Sequence, residues 1–377
     1  MAEKFLEAVN KGIRIIYEKE KEEHEKVIGK YYPSSIGECL RKQYYEFFEE
    51  KEPTEEELTI FLTGKGVHEM LAKVLNESLK VEAVEYEVSL NFDEAMLHGK
   101  ADIIIADFEG QKVIVELKTI SKIPNEPLQR HIMQLQCYLH ALNIERGFLL
   151  YWDKRAGRKK VFEISKDKKY YEILKERTLT LHYHISKKLP PIKEAAIKGE
   201  YSTCIRCPYK EICKPLELDI EKDSEIVVCE IDNVLFNVEE RKKACLEELK
   251  VSSYNNLDKK TKEEFFKIFY SEKYLNLDIP IEERIREIDE EYFKNNRKIV
   301  IITNRPEAMR EVTQEELTNL GIPFEALFMR KSNQKGKKFK ALIIKLLEIS
   351  GYKVVRIVDE EKTVEKIKKE ILKLDPN

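Results

Sequence analysis

The chain has 377 residues, 36% of them charged, and a formal net charge of −3. This length suits two domains with separate cores, and the charge balance excludes a globally basic nucleic-acid binder, so any DNA site must be a local patch. No run approaches the roughly 18 uninterrupted apolar residues of a membrane span, and the opening MAEKFLEAVNKG lacks a signal peptide's apolar stretch; the expectation is a cytoplasmic protein with no membrane partner.

In chain order, residues 2–28 and 55–78 read as helices, with Cys39 opening a short amphipathic helix, C-L-R-K-Q-Y-Y-E-F-F. An alternating strand over 84–92 precedes a hairpin of strands 97–106 and 112–118. Residues 126–143 predict a helix, 146–164 a second hairpin and 167–188 another helix. The fold class is therefore α/β with a mixed sheet. Beyond Cys213 the pattern restarts. Residues 214–225, charged and carrying Pro215, suit a linker, and strand candidates at 226–231, 298–303, 326–330 and 353–359 alternate with helical stretches. That alternation predicts a doubly wound parallel sheet. The expected domains are 1–219 and 220–377, the second with a helical insert at about 240–297.

The residues that carry chemistry are spread along the first domain. Asp102 in G-K-A-D-I-I-I and Glu116 in V-I-V-E-L-K-T lie on the two hairpin strands, which can bring both carboxylates to one end of a sheet. Such a pair binds a hard divalent cation, Mg²⁺ or Mn²⁺, and an imidazole from His68 would tilt the preference towards Mn²⁺. Lys118, two residues after Glu116, points to the same strand face. Gln134 and Tyr138 are four apart on one helix and share a face. Cys39 stands alone, whereas Cys204, Cys207 and Cys213 form C-x2-C-x5-C, the pattern of a four-thiolate metal site. Cys137, Cys229 and Cys245 fit buried small hydrophobes. Of the residues near Cys39, Tyr44, Phe47 and Phe48 have core spacing, leaving Arg41 and Lys42 as the better contacts to single-stranded nucleic acid.

In this order the set resembles the PD-(D/E)XK nuclease superfamily in its RecB-like branch, and most closely the CRISPR-associated protein 4 family of exonucleases. The matching pieces are C-L-R-K-Q-Y-Y, G-x3-H ending at His68, G-K-A-D ending at Asp102, E-L-K over 116–118, Q-x3-Y at Gln134 and Tyr138, and the cysteine trio. They cover roughly residues 30–215. The resemblance implies a [4Fe-4S] cluster on Cys39, Cys204, Cys207 and Cys213, and His68, Asp102 and Glu116 as metal ligands, with the Leu117 carbonyl beside them. It further implies Lys118 as the catalytic lysine, and Gln134 with Tyr138 as substrate-positioning residues. The implied activity is trimming of single-stranded DNA ends, with CRISPR integrase proteins as partners, or a role in DNA repair. Zinc competes for the cysteines, since four-cysteine zinc sites also use C-x2-C pairs; the isolated first cysteine and the x5 spacing favour the cluster.

The second half resembles the HAD phosphatase superfamily, its S-N-Q-K-G-K-K-F-K-A-L-I-I stretch being similar to the phosphatase half of polynucleotide kinase-phosphatases. By that resemblance Glu230 aligns with the nucleophile, Asp232 with the general acid, Thr303 with the residue that holds the phosphoryl group, a lysine among Lys335 to Lys340, best Lys340, with the phosphate-neutralising lysine, and Asp359 with Glu360 as Mg²⁺ ligands. The family's nucleophile is an aspartate. The extra methylene of Glu230 moves the attacking oxygen by about 1 Å, a misplacement that can cost roughly 10²-fold in rate. The expectation is an impaired phosphatase-like domain. The alternative for the whole chain is a non-catalytic module that binds DNA ends or an adaptation complex.

Overall fold

Ile103 to Ile105 and Val113 to Leu117 are buried without a break, as in strands covered on both faces. The computed structural model describes residues 1–377 except 23–25, 50, 154, 332–334 and 375–377. Part of the helix expected over 2–28, and Ser332, Asn333 and Gln334 of the phosphatase-like stretch, thus lie outside the described residues. The chain divides into two compact units, Met1–Glu194 and Ala195–Asn377.

In the first unit α1 (Ala2–Glu22), β1 (Lys30–Tyr31), α2 (Pro33–Ile36), α3 (Leu40–Phe48) and α4 (Glu55–Asn76) lead into β2 (Lys80–Phe92), β3 (Ala95–Phe108) and β4 (Gln111–Ile120). Then come α5 (Gln129–Ala141), β5 (Arg146–Asp153), β6 (Lys159–Ser165) and α6 (Lys168–Lys187). Six strands form one mixed sheet in the order β1-β3-β4-β5-β6, with β2 also on β3. β3 is antiparallel to β2 and β4, while β4 and β5 run parallel. A capping box between Thr54 and Glu57 fixes the start of α4 by satisfying its first free amides. One sheet face, with Ile103, Val115 and Leu117, packs on Leu71 and Ala72 of α4. The other, with Ala101, Ile114 and Tyr151, packs on Leu135, Tyr138 and Leu139 of α5. This is the mixed-sheet α/β layer predicted from the sequence. The first helix does not reach residue 28 as expected: its described part is Ala2–Glu22, residues 26–28 are not helical, and the chain turns through Gly29 at φ 95° before β1. β2 starts at Lys80, four residues before the predicted strand.

Short helices α7 (Glu194–Ile197), α8 (Tyr201–Ile205) and α9 (Lys210–Cys213) precede β7 (Glu225–Cys229). The segment after Glu194 packs within the second unit, where Leu216 N–H donates to Ser350 Oγ and Leu218 N–H to Tyr352 Oη, both at 2.9 Å. β8 (Phe236–Asn237), α10 (Glu239–Glu248), α11 (Lys259–Phe269), β9 (Ile279–Pro280) and α12 (Glu282–Asp289) make up the insert, with β8 and β9 pairing as a small ribbon the sequence did not announce. The rest is β10 (Lys298–Pro306), α13 (Arg310–Asn319), β11 (Ala326–Arg330), α14 (Gly336–Ile349), β12 (Lys353–Val358) and α15 (Glu361–Leu372). The order β11-β10-β7-β12 is parallel throughout, as the continuous apolar runs of doubly covered strands predict. The first strand ends at Cys229 and not at residue 231, because Ile231 C=O accepts from the amides of Leu235 and Phe236 and turns the chain off the sheet. Among the described residues no helix is long and apolar enough to cross a membrane.

Candidate active site

The β3–β4 ladder pairs Ile105 with Val113, Ile104 with Ile114 and Ile103 with Val115. Beyond that pair the Leu117 amide donates to the Asp102 carboxylate, Oδ2, at 2.7 Å. On the opposite side of β3, Glu85 of β2 has φ 49°, between the Val84–Ile103 and Tyr86–Ala101 pairs. Left-handed geometry within a strand re-aims the side chains around it. Asp102 therefore sits where regular pairing gives way on both sides, beside a cavity of about 360 Å³ lined in part by Lys65, His68, Glu69, Glu85 and Leu117. His68, on α4, places Nδ1 3.4 Å from Asp102 Oδ1. Burial works against its imidazolium, but Asp102 outweighs it and the pKa lies above the ordinary value.

Glu116 is 1% exposed. Its Oε1 accepts from Lys118 Nζ at 2.8 Å, and among the described residues Oε2 has no hydrogen-bond partner. Burial, with Asp102 adding to it, pushes the Glu116 pKa up to about 7. Lys118 also donates to Gln134 Oε1 at 2.7 Å, and Gln134 Nε2 donates to Tyr138 Oη at 3.2 Å. Gln134 and Tyr138 are both buried, so the expected shared helix face lies behind Lys118. Gly99, of the G-K-A-D stretch, lets this layer close: a Cβ there would meet Pro33 Cδ at 3.0 Å and Tyr138 Oη at 3.3 Å. A further support was not legible in sequence. Tyr151 pairs with Lys118 in the β4–β5 register and hydrogen-bonds His131 Nδ1 at 2.8 Å. Burial, then the positive charges of Lys118 and Arg130, depress the His131 pKa to about 3, so this ring is neutral.

Among the described residues no group of three or more His, Cys, Asp or Glu side chains is already placed to hold a metal. The donors nonetheless fit a hard divalent cation, because Glu116 presents a buried carboxylate oxygen without a hydrogen bond and such an oxygen is costly to leave unsatisfied. His68, Asp102 and Glu116 would hold the ion. A pKa raised in the folded state makes Glu116 favour the folded chain fully below its unfolded value and progressively less as pH rises through about 7. Cation uptake needs the ionised carboxylate and the neutral imidazole. Calorimetry with Mn²⁺ in buffers of different ionisation enthalpy should therefore show close to one proton released from Glu116 at pH 6, with His68 adding to it, and fewer at pH 8.5. Affinity independent of pH over that range would remove Glu116 from the ligand set.

Arg41 donates from Nη1 to Pro191 C=O at 2.7 Å and lies over the Tyr45 ring, tying α3 to the chain beyond α6. Cys39 precedes α3 in the first unit. In the second, Cys204 closes on Cys207 through a 3.1 Å backbone hydrogen bond, and Cys213 ends α9. None of the seven cysteines is in a disulfide.

Glu230 follows β7. Its Oε1 accepts from the Ile231 amide at 2.9 Å, and its Oε2 accepts from Asn304 N–H and Nδ2, both at 3.2 Å, and pairs with Lys340 Nζ at 2.5 Å. Lys340 also pairs with Asp359 Oδ2, whose Oδ1 accepts from the Glu360 amide at 2.7 Å. Asp232 Oδ1 accepts from Arg241 at 2.7 Å and Arg305 at 2.9 Å. Thr303 is buried, its hydroxyl accepting from the Arg305 amide at 3.2 Å. These residues do not fit Mg²⁺: every oxygen of Glu230 and Asp359 has a donor, and the remaining Asp232 oxygen belongs to a carboxylate held by two guanidinium groups. Arg241 and Arg305 were not singled out in the sequence, since a buried arginine has no local signature.

Residues 34–214 match the model of the PD-(D/E)XK nuclease superfamily. This part of the chain is a PD-(D/E)XK nuclease domain. Asp102, Glu116 and Lys118 all fall within it. Residues 209–332 match a family described as a protein of unknown function, DUF2608. The nuclease domain is similar to the CRISPR-associated exonuclease Cas4 of Saccharolobus solfataricus, 33% identical over 86 residues. That match spans 23% of this chain and 42% of that protein, less than half the relative's length. Among solved structures the chain is similar to SSO0001, with 24% identity, 55% of this chain and 97% of the other covered, and a TM-score of 0.44. It is also similar to LHK-Exo in complex with dAMP, an alkaline exonuclease of Laribacter hongkongensis, at 14% identity, 45% and 95% coverage and a TM-score of 0.33. A HAD-superfamily hydrolase of subfamily IA from Geobacter sulfurreducens is similar at 18% identity, 40% and 86% coverage and a TM-score of 0.28.

Proposed function

We infer that the nuclease domain is a divalent-metal-dependent DNA exonuclease trimming single-stranded ends, serving CRISPR spacer acquisition alongside integrase proteins. The observation that carries this reading is the convergence of Asp102, Glu116 and Lys118 where the β3–β4 ladder ends. The exonuclease name of the Saccharolobus relative supports the direction of the assignment. A bound Mg²⁺ or Mn²⁺ would supply Lewis-acid stabilisation of the charge that develops on a scissile phosphate. Asp102 is held in place through the Leu117 amide. Burial opposes the charge of Lys118, yet Glu116 and Asp102 outweigh it and raise the pKa; as an ammonium the side chain orients water and donates to phosphate oxygen. Gln134, backed by Tyr138, fixes the direction of that ammonium.

The [4Fe-4S] cluster on Cys39, Cys204, Cys207 and Cys213 belongs to the same reading and rests on the ordered cysteine spacing. Anaerobically purified protein is expected to carry a broad visible iron–sulfur absorption and to shorten labelled single-stranded DNA with Mn²⁺ or Mg²⁺. Colourless protein that retains zinc, with no cleavage, would replace the enzyme by a zinc-stapled end-binding module.

A further inference from the structure

The strand ends of the second unit carry an inference that stands independently of the nuclease reading. Open parallel sheets bind ligands in the crevice at the carboxyl ends of their strands. Here three adjacent strands deliver polar groups to that edge: Glu230 after β7, Asn304 on β10 and Asp359 after β12, with Lys340 reaching in from α14. Glu230 and Lys340 are 4% and 2% exposed. One carboxylate oxygen, Glu230 Oε2, receives a backbone amide, a side-chain amide and an ammonium. A main-chain N–H with a lysine is what a phosphate-type oxyanion looks for. The helix start is pressed onto these donors, since a Cβ on Gly336 would fall 2.0 Å from Asn304 Oδ1.

Charge completes the picture. Two carboxylates share one ammonium, leaving the cluster one negative charge in excess where an incoming oxyanion would need a positive one. Asp232 is no freer to trade protons. Burial opposes its charge, but Arg305 and Arg241 prevail and hold its carboxyl below the usual range. The same two arginines, each 0% exposed, reach Asp278 beside β9, so the insert is fastened to the strand ends by a buried ionic network. We propose that Glu230 is the resident occupant of an oxyanion site formed by the Asn304 amide and Lys340, so that the second unit neither binds nor hydrolyses phosphate esters while Glu230 is in place.

The test uses the full chain, with inorganic phosphate and orthovanadate as probes, followed by calorimetry and thermal melting. Wild type is expected to bind neither and to release no phosphate from 3′- or 5′-phosphorylated oligonucleotides with Mg²⁺. Glu230→Ala removes the occupant and keeps both donors. It should bind inorganic phosphate saturably, with melting of the second unit raised by roughly 3 °C at tenfold above Kd, and Glu230→Ala/Lys340→Met should bind at least about tenfold more weakly, the loss of a charged donor. Glu230→Ser carries the same expectation if the alanine variant does not fold. Phosphate binding or release by wild type overturns the proposal, whatever the variants do. Folded variants that bind phosphate no better than wild type overturn it as well.

Discussion

Replacing Asp102 with alanine is expected to lower metal-dependent cleavage of single-stranded DNA by roughly 10³-fold, the range for removal of one positioned catalytic group. Two losses coincide in this variant. A carboxylate disappears from the cation's surroundings, and the Leu117 amide loses its 2.7 Å acceptor at the point where the β3–β4 ladder has ended. Lys118→Met should fall by about 10²- to 10³-fold with metal affinity little changed, because it removes an electrostatic donor and leaves the carboxylates. Gln134→Leu should lower kcat by a smaller factor, about tenfold, without raising KM, since Gln134 is buried and touches Lys118. Single-turnover assays on end-labelled oligonucleotides, with Mn²⁺ affinity measured separately, distinguish these cases. Asp102→Ala and Lys118→Met proteins that cut like wild type would show that the hydrolysis happens elsewhere in the chain.

How much of this was legible follows from how far each signal reaches along the chain. The β3–β4 hairpin and the shared face of Glu116 and Lys118 are local, set by alternation and a tight turn between Phe108 and Gln111, and the sequence predicts them. The parallel sheet of the second unit was equally readable from its apolar runs. The roles of Gln134 and Tyr138 show where local reading stops. Helical spacing puts them on one face, but the depth of that face depends on Gly99, from another strand, packing against Tyr138. Glu85 has no sequence signal at all: its left-handed backbone is a consequence of how β2 meets β3 around Asp102. Arg241 and Arg305 are the extreme case. Neither has a local signature, and their burial exists because Asp232, Asp278 and Glu316 arrive from separate segments to neutralise them.

That network makes Arg305→Leu the largest stability effect expected in the second unit. Arg305 contacts Asp232 at 2.9 Å, Asp278 at 3.2 Å and Glu316, and its side chain is 0% exposed. Leucine fills part of the volume and leaves Arg241 alone to serve Asp232 and Asp278, the situation in which one partner is withdrawn from a buried ion group. The expected cost is about 3–5 kcal/mol, or roughly 10 °C in the melting of this unit. The cost should depend on pH with a definite sign. Burial raises the Asp278 pKa to about 7 against the pull of Arg241 and Arg305. A carboxyl raised in this way supports the fold below its unfolded value and loses that support as pH rises through about 7. Without Arg305 the Asp278 pKa rises further, and the low pKa of Asp232 loses the larger of the two attractions that depress it. The variant is therefore hurt most at pH 8, where these carboxylates must ionise without their partner, and least at pH 5. Arg305→Lys should recover part of the loss, as a point charge reaches one carboxylate but not all. Thermal unfolding of full-length protein at the two pH values decides the matter. A shift below 2 °C at pH 8, or a larger shift at pH 5 than at pH 8, would mean that the insert is held by its apolar contacts with the core around Ile288 and Phe265, and that the buried charges are tolerated there without stabilising the fold.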